Sequence, residues 1–112
     1  MIIHKETFAS GRWFKFSLVE QMANIGTDVD RAIRYKQRGD LEASTQALYR
    51  AIELIDFTVA DPKNRRRLKE VLRAREFLLD HLIGEDQYGM TDEFWQRYFY
   101  GFNYTAALQR GK

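Results

Sequence analysis

The sequence predicts an all-α protein, an antiparallel bundle of four main helices that begins with a long helical hairpin. Only one proline occurs in 112 residues, whereas strand-rich domains need more turn punctuation. Apolar residues recur at steps of three and four along most of the chain, which is the spacing of one helix face. A chain of this length has room for one hydrophobic core. We therefore expect residues 1–112 to form a single domain, with residues 1–10 as a loose N-terminal arm.

The hairpin is predicted from two long amphipathic segments. The first runs without interruption from about residue 12 to about residue 35. Its apolar face is formed by Phe14, Leu18, Met22, Ile25, Val29, Ala32 and Ile33. Gly39 can adopt the left-handed conformation that ends a helix, and Asp40 is a preferred cap for the next one. The inner face of that second helix is formed by Leu41, Ser44, Leu48, Ala51, Ile52, Ile55 and Val59. A linker this short makes the two helices pack antiparallel.

Two further helices are predicted from their starting residues. Asp61 is a suitable cap, and Pro62 follows at the first helical position, where its missing N–H costs nothing. We expect that helix to continue to about residue 83. Its inner face is predicted to comprise Leu68, Val71, Leu72, Leu78, Leu79 and Leu82. After a turn, Thr91 caps a last helix that reaches about residue 108.

Composition excludes several classes of protein. Charged residues make up 30% of the chain, and no run approaches the ~20 apolar residues that a membrane-spanning helix needs. There is no cysteine, so disulfides and thiolate metal sites are excluded. The first residues lack a basic segment followed by an apolar stretch, so we expect a cytoplasmic protein. The two histidines do not form a metal site, and no glycine-rich phosphate loop is present, so we expect neither metal nor cofactor.

The last helix is unusually aromatic, with seven aromatic residues among the eleven from Phe94 to Tyr104. Four of them, Trp95, Tyr98, Phe99 and Phe102, suffice to form its inner face. The others, Phe94, Tyr100 and Tyr104, are then expected to face outward. Exposed aromatic surface is typical of interfaces, so the pattern favours a homodimer or another protein partner. The alternative is that both faces of this helix are covered within one chain.

Basic residues are concentrated at the start of the third main helix, where Lys63, Arg65, Arg66, Arg67 and Lys69 put five cations into seven residues. Positive charge is unfavourable at this end of a helix. It requires a neighbouring acid or an external anion such as phosphate. With Arg73 on the same outward face, Lys63, Arg65, Arg66 and Lys69 form a candidate anion-binding or nucleic-acid-binding surface. The alternative is a solvated charged face.

Arg75 and His81 are the candidate catalytic residues if the protein is an enzyme. By helical periodicity, Arg75 falls in the middle of the predicted apolar face, where a charge is costly unless it is paired. It is either clamped to an internal acid (Asp28, Asp30 or Glu53) or aimed at an anion in an interface or polar pocket. His81 lies at the edge of the same face, where a histidine more often has a structural position than a catalytic one.

Two family resemblances are visible. Residues 39–43 and 47–54, preceded by residues 35–37, resemble the second helix of a tetratricopeptide repeat, but no second copy follows at the 34-residue period. Residues 13–54 resemble the start of the small HEPN domains of prokaryotes, with a long first helix, a Gly-Asp turn and an alanine-rich second helix. Many HEPN domains are ribonucleases in which four to six residues lie between an arginine and a histidine, and here five residues lie between Arg75 and His81. The resemblance implies a dimer in which both residues of both chains face an RNA backbone.

The residues themselves contain no complete catalytic signature. We therefore expect a non-catalytic helical interaction module that self-associates. The alternative is a HEPN-like, metal-independent ribonuclease or RNA-binding protein that uses Arg75, His81 and the cations around Arg66.

Overall fold

Helices account for nearly all of the chain between residues 11 and 111, the part that the computed structural model describes. They are α1 (Arg12–Lys15), α2 (Leu18–Gln37), α3 (Leu41–Ala60), α4 (Leu68–Leu82) and α5 (Asp92–Arg110), with a 3₁₀ helix, Pro62–Arg67, before α4. No strand occurs among these residues, which confirms the all-α prediction for them. The arm predicted for residues 1–10 lies outside the described residues.

The first predicted helix is interrupted, so the prediction of one continuous helix from residue 12 is wrong. Phe16 has an extended backbone (φ −77°, ψ 143°) and separates α1 from α2. Ser17 then caps α2: its hydroxyl accepts from the Glu20 N–H at 3.2 Å, while the Glu20 carboxylate accepts from the Ser17 N–H at 3.0 Å. This reciprocal capping box satisfies two N–H groups that a helix start otherwise leaves unpaired.

The turn between α2 and α3 follows the sequence prediction. Gly39 has φ 81°, a left-handed conformation that costs glycine little, and the Asp40 side chain accepts from the Ala43 N–H at 3.1 Å. The Ser44 hydroxyl donates to the Ala32 carbonyl at 2.7 Å, so the start of α3 lies against the end of α2. Leu41, predicted on the inner face, is 63% exposed because it directly follows the turn.

Helix α4 differs from its prediction at its start and on its buried face. The segment after Pro62 is 3₁₀ rather than α for six residues. The buried residues of α4 are Val71, Ala74, Leu78 and Leu82. Leu72 was predicted to be buried but is 44% exposed. The buried face is therefore rotated toward Ala74, which is 7% exposed.

Helix α5 packs against α2 through its buried residues Trp95, Phe99 and Ala106. Its start is capped as predicted, since the Thr91 hydroxyl accepts from the Phe94 N–H at 3.1 Å. The two helices approach closely at Gly26, where an added Cβ would lie 2.7 Å from the Phe99 Cβ. Glycine is therefore required at this position for the helices to reach their observed distance.

The core lies between α2 and α3 and is completed by α4 and α5. Its fully buried large side chains include Met22, Ile25, Ile33, Leu48, Ile55, Leu78 and Trp95. Among the described residues, every helix is too short or too polar to cross a membrane.

Candidate functional site

The outward face of α5 carries an exposed aromatic stripe. Tyr100, Tyr104 and Leu108 are spaced four residues apart, and their side chains are 66%, 56% and 52% exposed. The two tyrosine rings stack with centroids 6.3 Å apart. Beside them, a side chain added at Gly101 would meet nothing within 4 Å. We call Tyr100, Tyr104 and Leu108 the outward stripe.

Phe94 is also exposed, at 43%, but it lies on a different side of α5. Tyr100 follows it by six positions, which corresponds to about 120° around a helix. The Phe94 ring contacts the rings of Trp95 and Tyr98. The three aromatic residues predicted to face outward are therefore exposed, but they divide between two surfaces. Their role as an interface stays a prediction.

The second surface is a groove between α4 and α5 with a volume of about 330 Å³. Its apolar lining comes from Phe77, Met90, Phe94 and Tyr98, with Ala74 on the α4 side. We call it the α4/α5 groove. Sequence reasoning did not find it, because it depends on the gap between two helices that are distant in the chain.

The polar edge of the groove is formed by Glu70 and Arg73. The Glu70 carboxylate accepts from the Tyr98 hydroxyl at 2.9 Å and from Arg67 at 2.8 Å. Burial and the Glu70 carboxylate raise the pKa of the Tyr98 hydroxyl above its ordinary value. Because Glu70 is paired, Arg73 is the uncompensated charge at this edge.

Trp95 carries an unusual buried donor. The side chain is 2% exposed, yet its indole N–H has no hydrogen-bond partner among the described residues. Most buried donors are paired, and an unpaired one costs about 1–3 kcal/mol. Trp95 borders the α4/α5 groove and also a second groove between α2 and α5. This donor was not foreseen from the sequence.

The basic cluster divides into paired and unpaired cations. Lys63 forms an ion pair with Asp61 and donates to the Phe14 carbonyl at 2.9 Å. Arg67 is held by Glu70. By contrast, four exposed cations have no acidic partner within residues 11–111, namely Arg65, Arg66, Lys69 and Arg73. Within the described residues, four of the five residues predicted to bind an anion therefore have no acidic partner, whereas Lys63 is paired with Asp61.

Arg75 is not buried in the apolar face, so that part of the prediction is wrong. Its guanidinium Nε donates to the Asp56 carboxylate of α3 at 2.8 Å. The two side chains are 35% and 52% exposed. The partner is none of the three acids considered from the sequence. Asp56 was missed because the rotated buried face of α4 turns Arg75 toward the edge of α3.

His81 joins the end of α4 to the start of α5. Its Nε2 lies 2.7 Å from the Asp92 carboxylate, and only 12% of its side chain is exposed. The other oxygen of Asp92 accepts from Gln37 at 3.1 Å. Burial by itself raises the pKa of Asp92, but these hydrogen bonds and the charges of His81 and Lys36 outweigh it, so the pKa lies below its usual value. Within one chain, Arg75 and His81 therefore engage different helices and do not converge.

A buried polar network holds α1 and the 3₁₀ helix against the hairpin. Gln21, at 0% exposure, donates to the Trp13 carbonyl at 3.0 Å and to Asp61 at 2.9 Å. Asn64 donates to Gln21 at 2.8 Å and to the Thr58 carbonyl at 3.0 Å. The Trp13 indole donates to the Thr58 hydroxyl at 3.0 Å.

This network is structural, because its donors are used within the chain. Burial by itself raises the pKa of Asp61, but hydrogen bonds from Lys63 and Gln21 outweigh it and lower the pKa. One signal was available in the sequence, since Gln21 lies four residues before Ile25 on the predicted apolar face. A buried glutamine at such a position requires partners.

Among residues 11–111, no group of three or more histidine, aspartate or glutamate side chains is arranged to hold a metal ion. No family model matches the chain, and comparisons with curated proteins and with solved structures give no significant match.

Proposed function

We propose that this protein is a non-catalytic helical interaction module that self-associates through the outward stripe of α5. The exposure of Tyr100, Tyr104 and Leu108 on one helix face carries the proposal. Tyrosine is enriched among the residues that dominate interface energies. We also propose that the protein acts in the cytoplasm.

We infer an antiparallel arrangement of the four long helices from the contacts between them. Ser44 near the start of α3 bonds to Ala32 in the second half of α2, and Trp13 of α1, just before α2, bonds to Thr58 near the end of α3. Asp56 meets Arg75 across α3 and α4. Gln37 at the end of α2 bonds to Asp92 at the start of α5, and Gly26, earlier in α2, lies against Phe99, later in α5. These contacts support opposite directions for neighbouring helices, as in an up-and-down bundle. In such a bundle, the side of α5 opposite the core lacks a covering helix from its own chain.

The size of the stripe suits the centre of an interface rather than a whole one. An aromatic side chain buries about 200 Å², so the exposed parts of the two tyrosines amount to roughly 250 Å². A standard interface needs about 800 Å² on each partner. The stripe therefore supplies the anchors, and the flanking surface of α5 and α2 supplies the remainder.

Self-association can be tested by light scattering after size exclusion at micromolar concentration. We expect a mass about twice the 13.3 kDa of the chain. Tyr104→Glu should weaken the dimer by roughly 30-fold or more, as expected for a hot-spot residue. The matched control is Tyr49→Glu, which alters a tyrosine of α3 that is 53% exposed. A monomeric parent, or equal effects of the two variants, would contradict the proposal.

A second candidate function is anion or RNA binding by the basic cluster. It is favoured by one observation: Arg65, Arg66, Lys69 and Arg73 lack acidic partners among the described residues, whereas Lys63 and Arg67 have them. Contacts of four cations with a single strand predict an affinity that falls with about the third power of salt concentration. Filter binding of a single-stranded RNA pool at several salt concentrations tests this.

Cleavage of RNA in the manner of HEPN ribonucleases makes a further demand. Arg75 and His81 are held by Asp56 and Asp92 on different helices, so a composite site would require residues from two chains. Incubating the protein with RNA in EDTA, beside a His81→Ala variant, tests this reading. We expect no cleavage, and cleavage that disappears in the variant would favour the ribonuclease.

A further inference from the structure

The α4/α5 groove is a second concave surface with a chemistry of its own. Its floor and walls are mostly apolar, with Phe77, Met90, Phe94 and Tyr98 around an opening of about 330 Å³. Phe94 remains 43% exposed at its edge. Exposed aromatic and methionine side chains in a concavity are typical of surfaces that receive an apolar side chain from a partner.

The unpaired charge on the rim of the groove is positive. Arg73 lines the groove, Lys69 precedes it by about one turn of α4, and Arg66 lies in the 3₁₀ helix before α4. None of the three has an acidic partner among the described residues. Glu70, the only lining carboxylate among residues 11–111, is paired with Arg67 and the Tyr98 hydroxyl. An occupant therefore meets uncompensated positive charge beside an apolar floor.

The length of the groove fits a short helix. From Glu70 to Phe77 the α4 wall spans about 10 Å at 1.5 Å per residue. That distance equals two helical turns, which is the separation of the first and last anchors of a helix that binds through positions i, i+3 or i+4, and i+7.

We propose that the α4/α5 groove binds an acidic amphipathic peptide segment of a partner protein. Large apolar side chains of the segment fill the space beside Phe94, and its acidic residues pair with Arg73 and Lys69. This surface is distinct from the outward stripe, so the inference extends the proposed interaction function without depending on self-association.

The test uses three fluorescein-labelled probe peptides of about twelve residues, compared by fluorescence anisotropy. The first has leucine and phenylalanine at the anchor positions and glutamate elsewhere. The second replaces each glutamate by lysine, and the third replaces each anchor by alanine. We expect the acidic amphipathic probe to bind roughly 10-fold or more tightly than either of the others, because charge and anchors both contribute.

Two variants and two matched controls locate the binding. Phe94→Ala should lower the affinity for the acidic probe by roughly 30-fold, which is the size of the loss expected at a hot-spot residue. Arg73→Gln should weaken it less and reduce its dependence on salt. The controls are Tyr49→Ala, which also removes an exposed aromatic ring, and Arg38→Gln, which also removes an exposed arginine. Circular dichroism of each variant establishes that it is folded.

Three results would overturn the proposal. The first is equal binding of the acidic and basic probes, and the second is an equal effect of Phe94→Ala and Tyr49→Ala. The third is displacement of the peptide by oligouridine, together with weaker binding of oligouridine to the Phe94→Ala variant. That result would assign the groove to single-stranded nucleic acid. The mass of Phe94→Ala should remain that of the parent, so failure of this proposal is distinguishable from failure of self-association.

Discussion

Substitution of Gly26 by alanine tests the closest helix contact in the structure. The new Cβ would lie 2.7 Å from the Phe99 Cβ, about 0.7 Å short of the 3.4 Å at which ordinary contact begins. Since the Phe99 Cβ is fixed to its backbone, rotation of the side chain cannot relieve the overlap, and α2 must move away from α5. Overpacking of this kind costs about 1–3 kcal/mol, while replacing a helical glycine by alanine returns about 1 kcal/mol. We expect Gly26→Ala to lower the free energy of unfolding by about 0–2 kcal/mol.

Gly101→Ala is the matched control because it makes the same chemical change in α5 with nothing within 4 Å of the new Cβ. It should stabilise the protein by about 0.5–1 kcal/mol. Urea unfolding followed by circular dichroism measures both variants, with equal m-values as the condition for comparing them. Both must be measured at the same protein concentration, since self-association adds stability by mass action. If Gly26→Ala gains as much as Gly101→Ala, the close approach of α2 and α5 is wrong.

Three further predictions concern the polar contacts. Gln21→Leu should cost about 2–4 kcal/mol in urea unfolding because it leaves buried groups unpaired, whereas the exposed control Gln46→Leu should change stability by less than about 0.5 kcal/mol. Arg75→Ala should lower the free energy of unfolding by only about 0.2–1 kcal/mol, since its pair with Asp56 is partly exposed. A loss of several kcal/mol would instead indicate that Arg75 is buried, as the sequence predicted. The folded pKa of Asp92 is below the unfolded value of 3.8, so its charged form stabilises the protein above that pH. This contribution is lost as the pH falls through the folded pKa. Urea midpoints from neutral to strongly acidic pH should therefore fall less steeply in Asp92→Asn than in the parent.

Local signals predicted most helix boundaries because each depends on a few neighbouring residues. Gly39 and Asp40 form the turn between α2 and α3, and Thr91 caps α5, as expected. The break at Phe16 was also readable, since Ser17 and Glu20 have the spacing of a capping box. The prediction missed it because apolar residues continue at helical steps across the break. An apolar pattern indicates which residues face the core, and a capping box indicates where a helix begins.

The position of Arg75 shows what periodicity alone cannot determine. Helix α4 has leucines on several sides, and the prediction gave Leu72 the same weight as Leu78. In the structure Leu78 is 0% exposed and Leu72 is 44% exposed, because the neighbouring helices cover only the side that carries Ala74. The buried polar network could not be predicted from the sequence for a related reason. Gln21 and Asp61 are 40 residues apart in the chain, and only the tertiary fold brings them together.

Helix α5 contributes aromatic residues to the core, to the α4/α5 groove and to the outward stripe. Trp95 and Phe99 anchor it to the core, Phe94 and Tyr98 face the groove beside α4, and Tyr100 and Tyr104 face outward. Four aromatic residues suffice for one buried face of this helix, and the other three, Phe94, Tyr100 and Tyr104, are exposed on the groove and on the outward stripe. Because these surfaces lie on different sides of the same helix, the proposed self-association through the outward stripe would leave the groove open to the proposed peptide.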